Sequence, residues 1–270
     1  MSRRIAVIGD VGGHLEALRA ELSRIGVPDD GAGEIPEDLV VVQVGDLVHR
    51  GPDSAGVVAL VDTHLRRTPD RWFQLVGNHE AFYVFGPQFR LSERLDRRAA
   101  GTLSGWWQEG VLRAAVSFSS GGETFLVTHA GLTREYWRLF LGAPDDARAA
   151  AAALNDMLRR GDDRLIRAGQ VHGGAVDPAA GPLWAAADTE LEAGWRDHTL
   201  PFSQVHGHSS AVRWPDGDAP EPPASDVVLD HTLRHTTTVL AGGRIIGVDP
   251  GHGDNAAESW GALELPLDVP

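Results

Sequence analysis

The feature that most restricts this chain is a repeated ending. Largely apolar runs far apart in sequence each stop at a metal-ligand residue with glycine beside it. Ile5–Ile8 leads into Gly9-Asp10, Val40–Val44 into Gly45-Asp46, and Phe73–Val76 into Gly77-Asn78-His79-Glu80. Phe125–Val127 leads into Thr128-His129-Ala130-Gly131, and Val205 into His206-Gly207-His208. Short apolar runs of this kind predict strands buried on both faces. Between them, Leu15, Leu18, Leu22 and Ile25, then Val57, Val58, Leu60, Val61 and Leu65, recur at helical spacing. Strand, helix, strand, helix, strand predicts a largely parallel sheet with covering helices. Ligand sites in such sheets lie just beyond the carboxyl ends of the strands. One Gly-Asp is an ordinary turn, and one strand-end histidine is an ordinary satisfied polar group. Five in the same position predict a shared site, and glycine beside each lets the backbone turn tightly there.

Composition narrows the chemistry. The 270 residues contain no cysteine and no lysine, so all 24 basic side chains are arginine. This excludes disulfides, thiolate nucleophiles, cysteine-bound zinc, Schiff-base lysines and P-loop lysines. Carboxylate, imidazole, hydroxyl and guanidinium remain, with twelve histidines among them. The strand-end residues form an oxygen–nitrogen set without soft sulfur, suited to Mn, Fe or Zn. A net charge of −14 with scattered arginines repels nucleic-acid backbones, so no polymeric nucleic acid is expected as a partner. Arg3 and Arg4 precede only the four apolar residues Ile5–Ile8, and no apolar run approaches bilayer length. A cytoplasmic protein without a membrane partner is expected. No domain boundary or repeat is visible, so residues 1–270 are expected to form one domain. Oligomeric state leaves no signal.

The second half changes character. Val116–Ser120 and Glu123–Val127 flank Gly121-Gly122, and Thr237–Ala241 and Arg244–Val248 flank Gly242-Gly243, predicting two β-hairpins. The alanine-rich stretch Asp145–Arg160 follows Pro144, opens on acid, closes on arginine and precedes Gly161, which predicts a helix. Trp214–Ser225, rich in proline and acid, predicts a surface loop. His64, His198, His231 and His235 are expected at the surface or in loops, His172 and His252 in glycine turns, and Trp106-Trp107 in packing. Arg134 reads as a surface arginine at a helix start, and Glu80 as a residue that fixes local backbone.

The motifs GDVGGH (Gly9–His14), GDLVHRGPDS (Gly45–Ser54), GNHE (Gly77–Glu80), THAG (Thr128–Gly131) and HGH (His206–His208) together resemble the calcineurin-like metallophosphoesterases. The spacing GD-x-x-x-RG is most similar to the phosphoprotein-phosphatase branch and its bacterial relatives, including symmetrical dinucleoside tetraphosphatases. Leu183-Trp184 and Val248-Asp249-Pro250-Gly251 look like late segments of such phosphatases, more loosely. The resemblance implies an α/β, four-layer fold of two mixed β-sheets packed together and flanked by helices. It implies two divalent metal ions, with manganese expected and iron or zinc as alternatives. Asp46 would bridge them, one metal also taking Asp10 and His208 and the other Asn78, His129 and His206. A shared carboxylate offsets the repulsion between two nearby cations, and a water held between them is acidified for attack on phosphorus. His79 would protonate the leaving oxygen, and Arg50 would clamp phosphoryl oxygens through its planar fork. The implied activity is phosphomonoester hydrolysis on a phosphorylated small molecule, such as a nucleoside polyphosphate, or a phosphoprotein. A catalytically weak metal-binding regulatory protein and a nucleotide phosphodiesterase are the alternatives.

Two positions depart from the family pattern. The first motif usually carries histidine two residues after its aspartate; here that residue is Gly12, and His14 stands two further on. His14, or a water, is the candidate replacement. At position 49 the branch usually has an aspartate that orients the general acid; His49 can hydrogen-bond His79 there but brings no fixed negative charge.

Overall fold

The computed structural model describes residues 3–28, 34–90, 94–214 and 227–268. The predicted alternation fills its first half: β1 (Arg4–Ile8), α1 (Leu15–Arg24), β2 (Leu39–Gln43), α2 (Ser54–Arg67), β3 (Trp72–Gln74), α3 (Asn78–Val84) and α4 (Arg97–Gln108). Then come β4 (Ala115–Ser120), β5 (Glu123–Thr128), α5 (Arg134–Leu141), α6 (Ala147–Arg159) and α7 (Gln170–Gly173). A π-helical stretch, Ala187–Glu192, runs into α8 (Ala193–Trp195), followed by β6 (Ser203–His206), β7 (Val227–Asp230), β8 (His235–Leu240), β9 (Gly243–Gly247) and β10 (Leu263–Pro266). One sheet has the order β10-β1-β2-β3, the other β4-β5-β6-β9-β8-β7. Both are mixed. β1, β2 and β3 run parallel, with β10 antiparallel on β1; β5, β6 and β9 run parallel inside the second sheet, with antiparallel partners on both sides.

Side-chain alternation explains the layers. Ile5 and Val7 on β1, Val42 on β2, and Phe125, Val127, Val205 and Ile246 on the second sheet form one buried cluster, the seam between the sheets. Their neighbours in sequence, Ala6, Ile8, Val41 and Leu126, belong to another cluster shared with residues of α1, α2, α4, α5 and α6. A strand sends successive side chains to opposite faces, so runs apolar at every position suit strands covered on both sides. Helix, sheet, sheet, helix is the expected four-layer arrangement.

The alanine-rich stretch is α6, capped by Asp146, whose side chain accepts from the Arg148 N–H. Ala147, Ala150, Ala151 and Leu154 form its buried face, and small side chains there allow close approach to β4. Asn155 pins the contact: its Oδ1 accepts from the Ala114 N–H at 2.7 Å, and its Nδ2 donates to the Ala115 carbonyl at 2.8 Å. Both glycine hairpins form as predicted. The proline-rich stretch from 215 to 225 lies outside the described residues. No helix among the described residues is long and apolar enough to cross a membrane.

Two histidines were placed wrongly by their sequence context. His64 is buried on α2, its ring stacked on Trp72 with centroids 4.9 Å apart. His235 is buried at the start of β8, where its Nε2 pairs with the Gly261 carbonyl at 2.8 Å. His198 and His231 are exposed, as expected.

The seam has a measurable consequence. Phe125 is fully buried and stacks on Phe118. Phe125→Ala is expected to cost about 3–5 kcal/mol, read from the urea midpoint at unchanged m-value. A loss below about 1 kcal/mol would contradict a tightly packed seam.

Candidate active site

Six strand ends, three from each sheet, feed one site. β1 ends at Asp10, β2 at Asp46, β3 at Asn78-His79, β5 at His129, β6 at His206-Gly207-His208 and β9 at Asp249. A buried glutamine inside β2 ties the first turns together. Gln43 Nε2 donates to the carbonyls of Gly9 (3.0 Å) and Gly45 (2.7 Å), and its Oε1 accepts from the Gly45 N–H and the Gln74 amide. The turns carrying Asp10 and Asp46 are thereby fixed relative to each other and to β3.

The ligand-type side chains converge. Atoms of Asp46, His129 and His208 lie within 4.8 Å of one another. One polar atom of the Asn78 amide sits among them, 2.9 Å from His129 Nε2, 3.0 Å from His208 Nδ1 and 3.1 Å from Asp46 Oδ2. With the amide nitrogen at that point all these contacts are hydrogen bonds; the half-turned amide aims its oxygen, a metal-ligand atom, at the same place. Asp10 approaches from the other side, its Oδ1 accepting from the His208 N–H at 3.0 Å. His79 Nε2 lies 3.9 Å from Asp46 Oδ2. Arg50 is exposed at the rim, 3.4 Å from the His252 carbonyl. Phe89 and Trp184 wall the site, 5.3 Å from the His79 ring and 5.6 Å from the His208 ring.

The backbone is held in costly conformations here. Asp46, His49, Arg50 and His208 have φ of 54°, 74°, 69° and 65°. Each such residue costs about 1–3 kcal/mol and persists only when its surroundings over-determine it. Glu80 supplies much of that restraint: its buried carboxylate accepts from the N–H groups of Asp46 (2.7 Å), Leu47 (2.9 Å) and Gly77 (2.9 Å). This agrees with the backbone-fixing role read from the sequence. Burial and the Asp46 charge push the Glu80 carboxyl up to about 8, while the three N–H donors pull it down. Glycine is required at two approaches. A Cβ on Gly77 would lie 2.2 Å from Asp46 Oδ1, and one on Gly207 2.2 Å from Asp10 Oδ1.

The donor set fits divalent cations. Asp10 Oδ2 and His208 Nε2 are buried without a hydrogen-bond partner among the described residues. Burial, then repulsion from Asp249 and Asp46, raises Asp10 well above the usual carboxylate range; burial also raises Asp249. Burial lowers His129, His206 (to about 4) and His208, so these rings are neutral, the form that ligates metal. Buried carboxylates crowded beside neutral imidazoles are stabilised when a cation offsets the repulsion.

The arrangement differs in places from the expected grouping. The His208 ring, expected with Asp10, lies with Asn78 and His129 instead. His206, expected there, turns its Nδ1 to the Gly207 carbonyl at 2.9 Å and stands outside the cluster. The two residues sit on either side of a turn whose positive φ at His208 redirects that ring. His14 faces away: its Nε2 pairs with the Gly253 carbonyl at 3.0 Å, and its ring meets His252 at 5.1 Å. His252 is buried, its Nδ1 accepting from the Ala257 N–H at 2.9 Å, rather than exposed on a turn. Asp249 and Tyr83 escaped the sequence reading of the site. Asp249 follows the apolar run Ile245–Val248 and precedes Pro250-Gly251, the same strand-end signature as the others. Tyr83 stands four residues after His79 on α3, the spacing that puts two side chains on one helix face.

Residues 3–209 match the family model described as calcineurin-like phosphoesterase. Among solved structures, the cold-active protein-tyrosine phosphatase of a psychrophile, Shewanella sp., aligns with a TM-score of 0.59 and 15% identity, over 99% of this chain and 77% of that one. Another structure of a cold-active protein tyrosine phosphatase gives a TM-score of 0.60 and 16% identity, over 99% and 75% of the two chains. A protein serine/threonine phosphatase from Saccharomyces cerevisiae matches more narrowly, with a TM-score of 0.38 and 21% identity over 54% of this chain. This chain spans 40% of that protein. At these identities the first two likenesses concern the fold, and they agree with the two-sheet arrangement.

The Gly207 approach generates a test. Gly207→Ala forces Asp10 aside and is expected to weaken metal affinity about 10–100-fold, measured as metal retained per chain after dialysis. Undiminished retention would show that Asp10 does not depend on this contact.

Proposed function

The chain belongs to the calcineurin-like phosphoesterase family, and from that membership and the site geometry we propose that it hydrolyses phosphomonoesters with two divalent cations. Asp46, Asn78, His129 and His208 would hold one cation. Asp10 and the other face of Asp46 would hold the second, with Asp249 adding negative charge nearby. His206 backs the cluster rather than completing it. When bound, such cations acidify a water for attack and polarise the phosphoryl group. The oxygen–nitrogen donor set accommodates manganese, iron or zinc, and the family resemblance points to manganese among them.

The chain's own residues supply the rest. His79 holds a proton at Nε2, the nitrogen turned toward Asp46, and delivers it to the leaving oxygen. Arg50 at the rim binds phosphoryl oxygens with its forked donors. Glu80 and the positive-φ turns hold Asp46 in place before substrate arrives, so little reorganisation accompanies the reaction. The carrying observation is the convergence of Asp46, Asn78, His129 and His208 on one point, with His79 Nε2 3.9 Å from Asp46 Oδ2. The substrate is a phosphoprotein or a phosphorylated small molecule such as a nucleoside polyphosphate.

Protein stripped of metal and titrated with manganese is expected to hydrolyse p-nitrophenyl phosphate in proportion to metal bound. Asp46→Asn should abolish that activity, and His79→Ala should lower kcat on poor leaving groups about 10²–10⁴-fold. Bound metal without turnover would identify a regulatory metal-binding protein instead. Preference for bis(p-nitrophenyl) phosphate would identify a phosphodiesterase.

A further inference from the structure

Two imidazoles meet beside the site, nitrogen to nitrogen. His49 Nδ1 lies 2.8 Å from His79 Nδ1, and His49 Nε2 lies 2.8 Å from the Tyr83 hydroxyl. Two imidazoles joined this way hydrogen-bond only when one of the facing nitrogens carries a hydrogen and the other is bare. The Val48 carbonyl, which can only accept, is 3.2 Å from His79 Nδ1 and makes that nitrogen the donor. His49 therefore accepts at Nδ1 and carries its own hydrogen on Nε2, where the Tyr83 oxygen receives it. The Leu95 N–H also donates to this oxygen, at 3.1 Å, holding the phenol in place. Each hydrogen bond in the chain fixes the direction of the next.

We propose that Tyr83, acting through His49, is the positioning device that fixes the tautomer and orientation of His79. The inference rests on His79 being the acid of the proposed reaction. Its consequence is that Nδ1–H of His79 stays occupied, leaving Nε2, the nitrogen facing Asp46, as the only place for the transferable proton. The relay is suited to a neutral His49: burial, then the His79 charge, pushes its ring down to about 4. A neutral acceptor replaces the carboxylate that the resembling phosphatases use at this position, and the phenol oxygen supplies the fixed end that the carboxylate charge would otherwise supply. Without the Tyr83 oxygen, His49 can move its hydrogen to Nδ1. Two donors would then oppose each other across 2.8 Å and His79 would lose its alignment.

Leaving groups separate positioning from a general structural role. The manganese-loaded enzyme is assayed on p-nitrophenyl phosphate, whose leaving group departs without a proton, and on glycerol 2-phosphate, whose alkoxide needs one. Tyr83→Phe is expected to lower kcat on glycerol 2-phosphate about tenfold or more, with KM unchanged and kcat on p-nitrophenyl phosphate within about twofold. The double variant Tyr83→Phe/His49→Asp should regain the lost rate. An aspartate Oδ1 occupies the place of His49 Nδ1 and accepts from His79 without a third group, and aspartate tolerates the positive φ at position 49. Equal losses on both esters, no loss on either, or no rescue would overturn the proposal. Nitrogen-15 NMR of the wild type gives a reading independent of any variant: hydrogen on His79 Nδ1 and His49 Nε2 is expected, and the opposite pair would overturn it. Wild-type protein that hydrolyses neither ester with manganese would sink the reading of function and this inference with it. An active wild type with an indifferent Tyr83→Phe sinks only the inference.

Discussion

The site depends on one buried carboxylate. Glu80, on the first turn of α3, binds the N–H groups of Asp46 and Leu47 after β2 and of Gly77 after β3. It therefore joins two strand ends that would otherwise be independent loops, and it holds Asp46 at a φ of 54° that a non-glycine residue rarely adopts. Hydrogen bonds to backbone donors contribute about 0.5–1.5 kcal/mol each, so three together are comparable to the strain of the turns they restrain. Asp46 in turn accepts from the His79 N–H at 3.0 Å, so the proposed ligand and the proposed acid are positioned by the same anchor. Removing that carboxylate would release Asp46, Asn78 and His79 together.

Around this anchor the fold crowds buried carboxyl groups. Asp10, Asp46 and Asp249 are buried near one another, and Arg50 reaches them only from the exposed rim. Two polar atoms, Asp10 Oδ2 and His208 Nε2, lack hydrogen-bond partners among the described residues. An interior of this kind is costly by itself and stable when a divalent cation is bound. In the proposed reading, the same crowding is what bound divalent cations would relieve. Position 12 is glycine, with His14 turned toward Gly253, so the proposed second cation on the Asp10 side would lean on carboxylates more heavily than on imidazole.

Much of this was legible in sequence because strand-end ligands announce themselves: an apolar run, a glycine and a carboxylate, amide or imidazole. The parallel order of β1, β2 and β3, both glycine hairpins and α6 followed from periodicity and turn chemistry. What escaped detection depends on direction rather than composition. Two histidines separated by one glycine are equivalent in a motif, and only the turn at His208 decides which ring faces Asn78. His64 continues the buried stripe of Val57 and Val61 at helical spacing, so its burial was readable there; a polar residue type concealed it. β7 and β10 are short strands with alternating exposure, too brief for a period to stand out. Tyr83 carries no motif at all and gains meaning only from its distance to His49.

These strand ends are proposed to form a two-cation centre around Asp46. Anomalous diffraction from crystals equilibrated with manganese tests it most directly. Two peaks flanking the Asp46 carboxylate are expected, one among Asn78, His129 and His208 and one on the Asp10 side. No peak beside Asp46, or manganese bound only elsewhere, would contradict it.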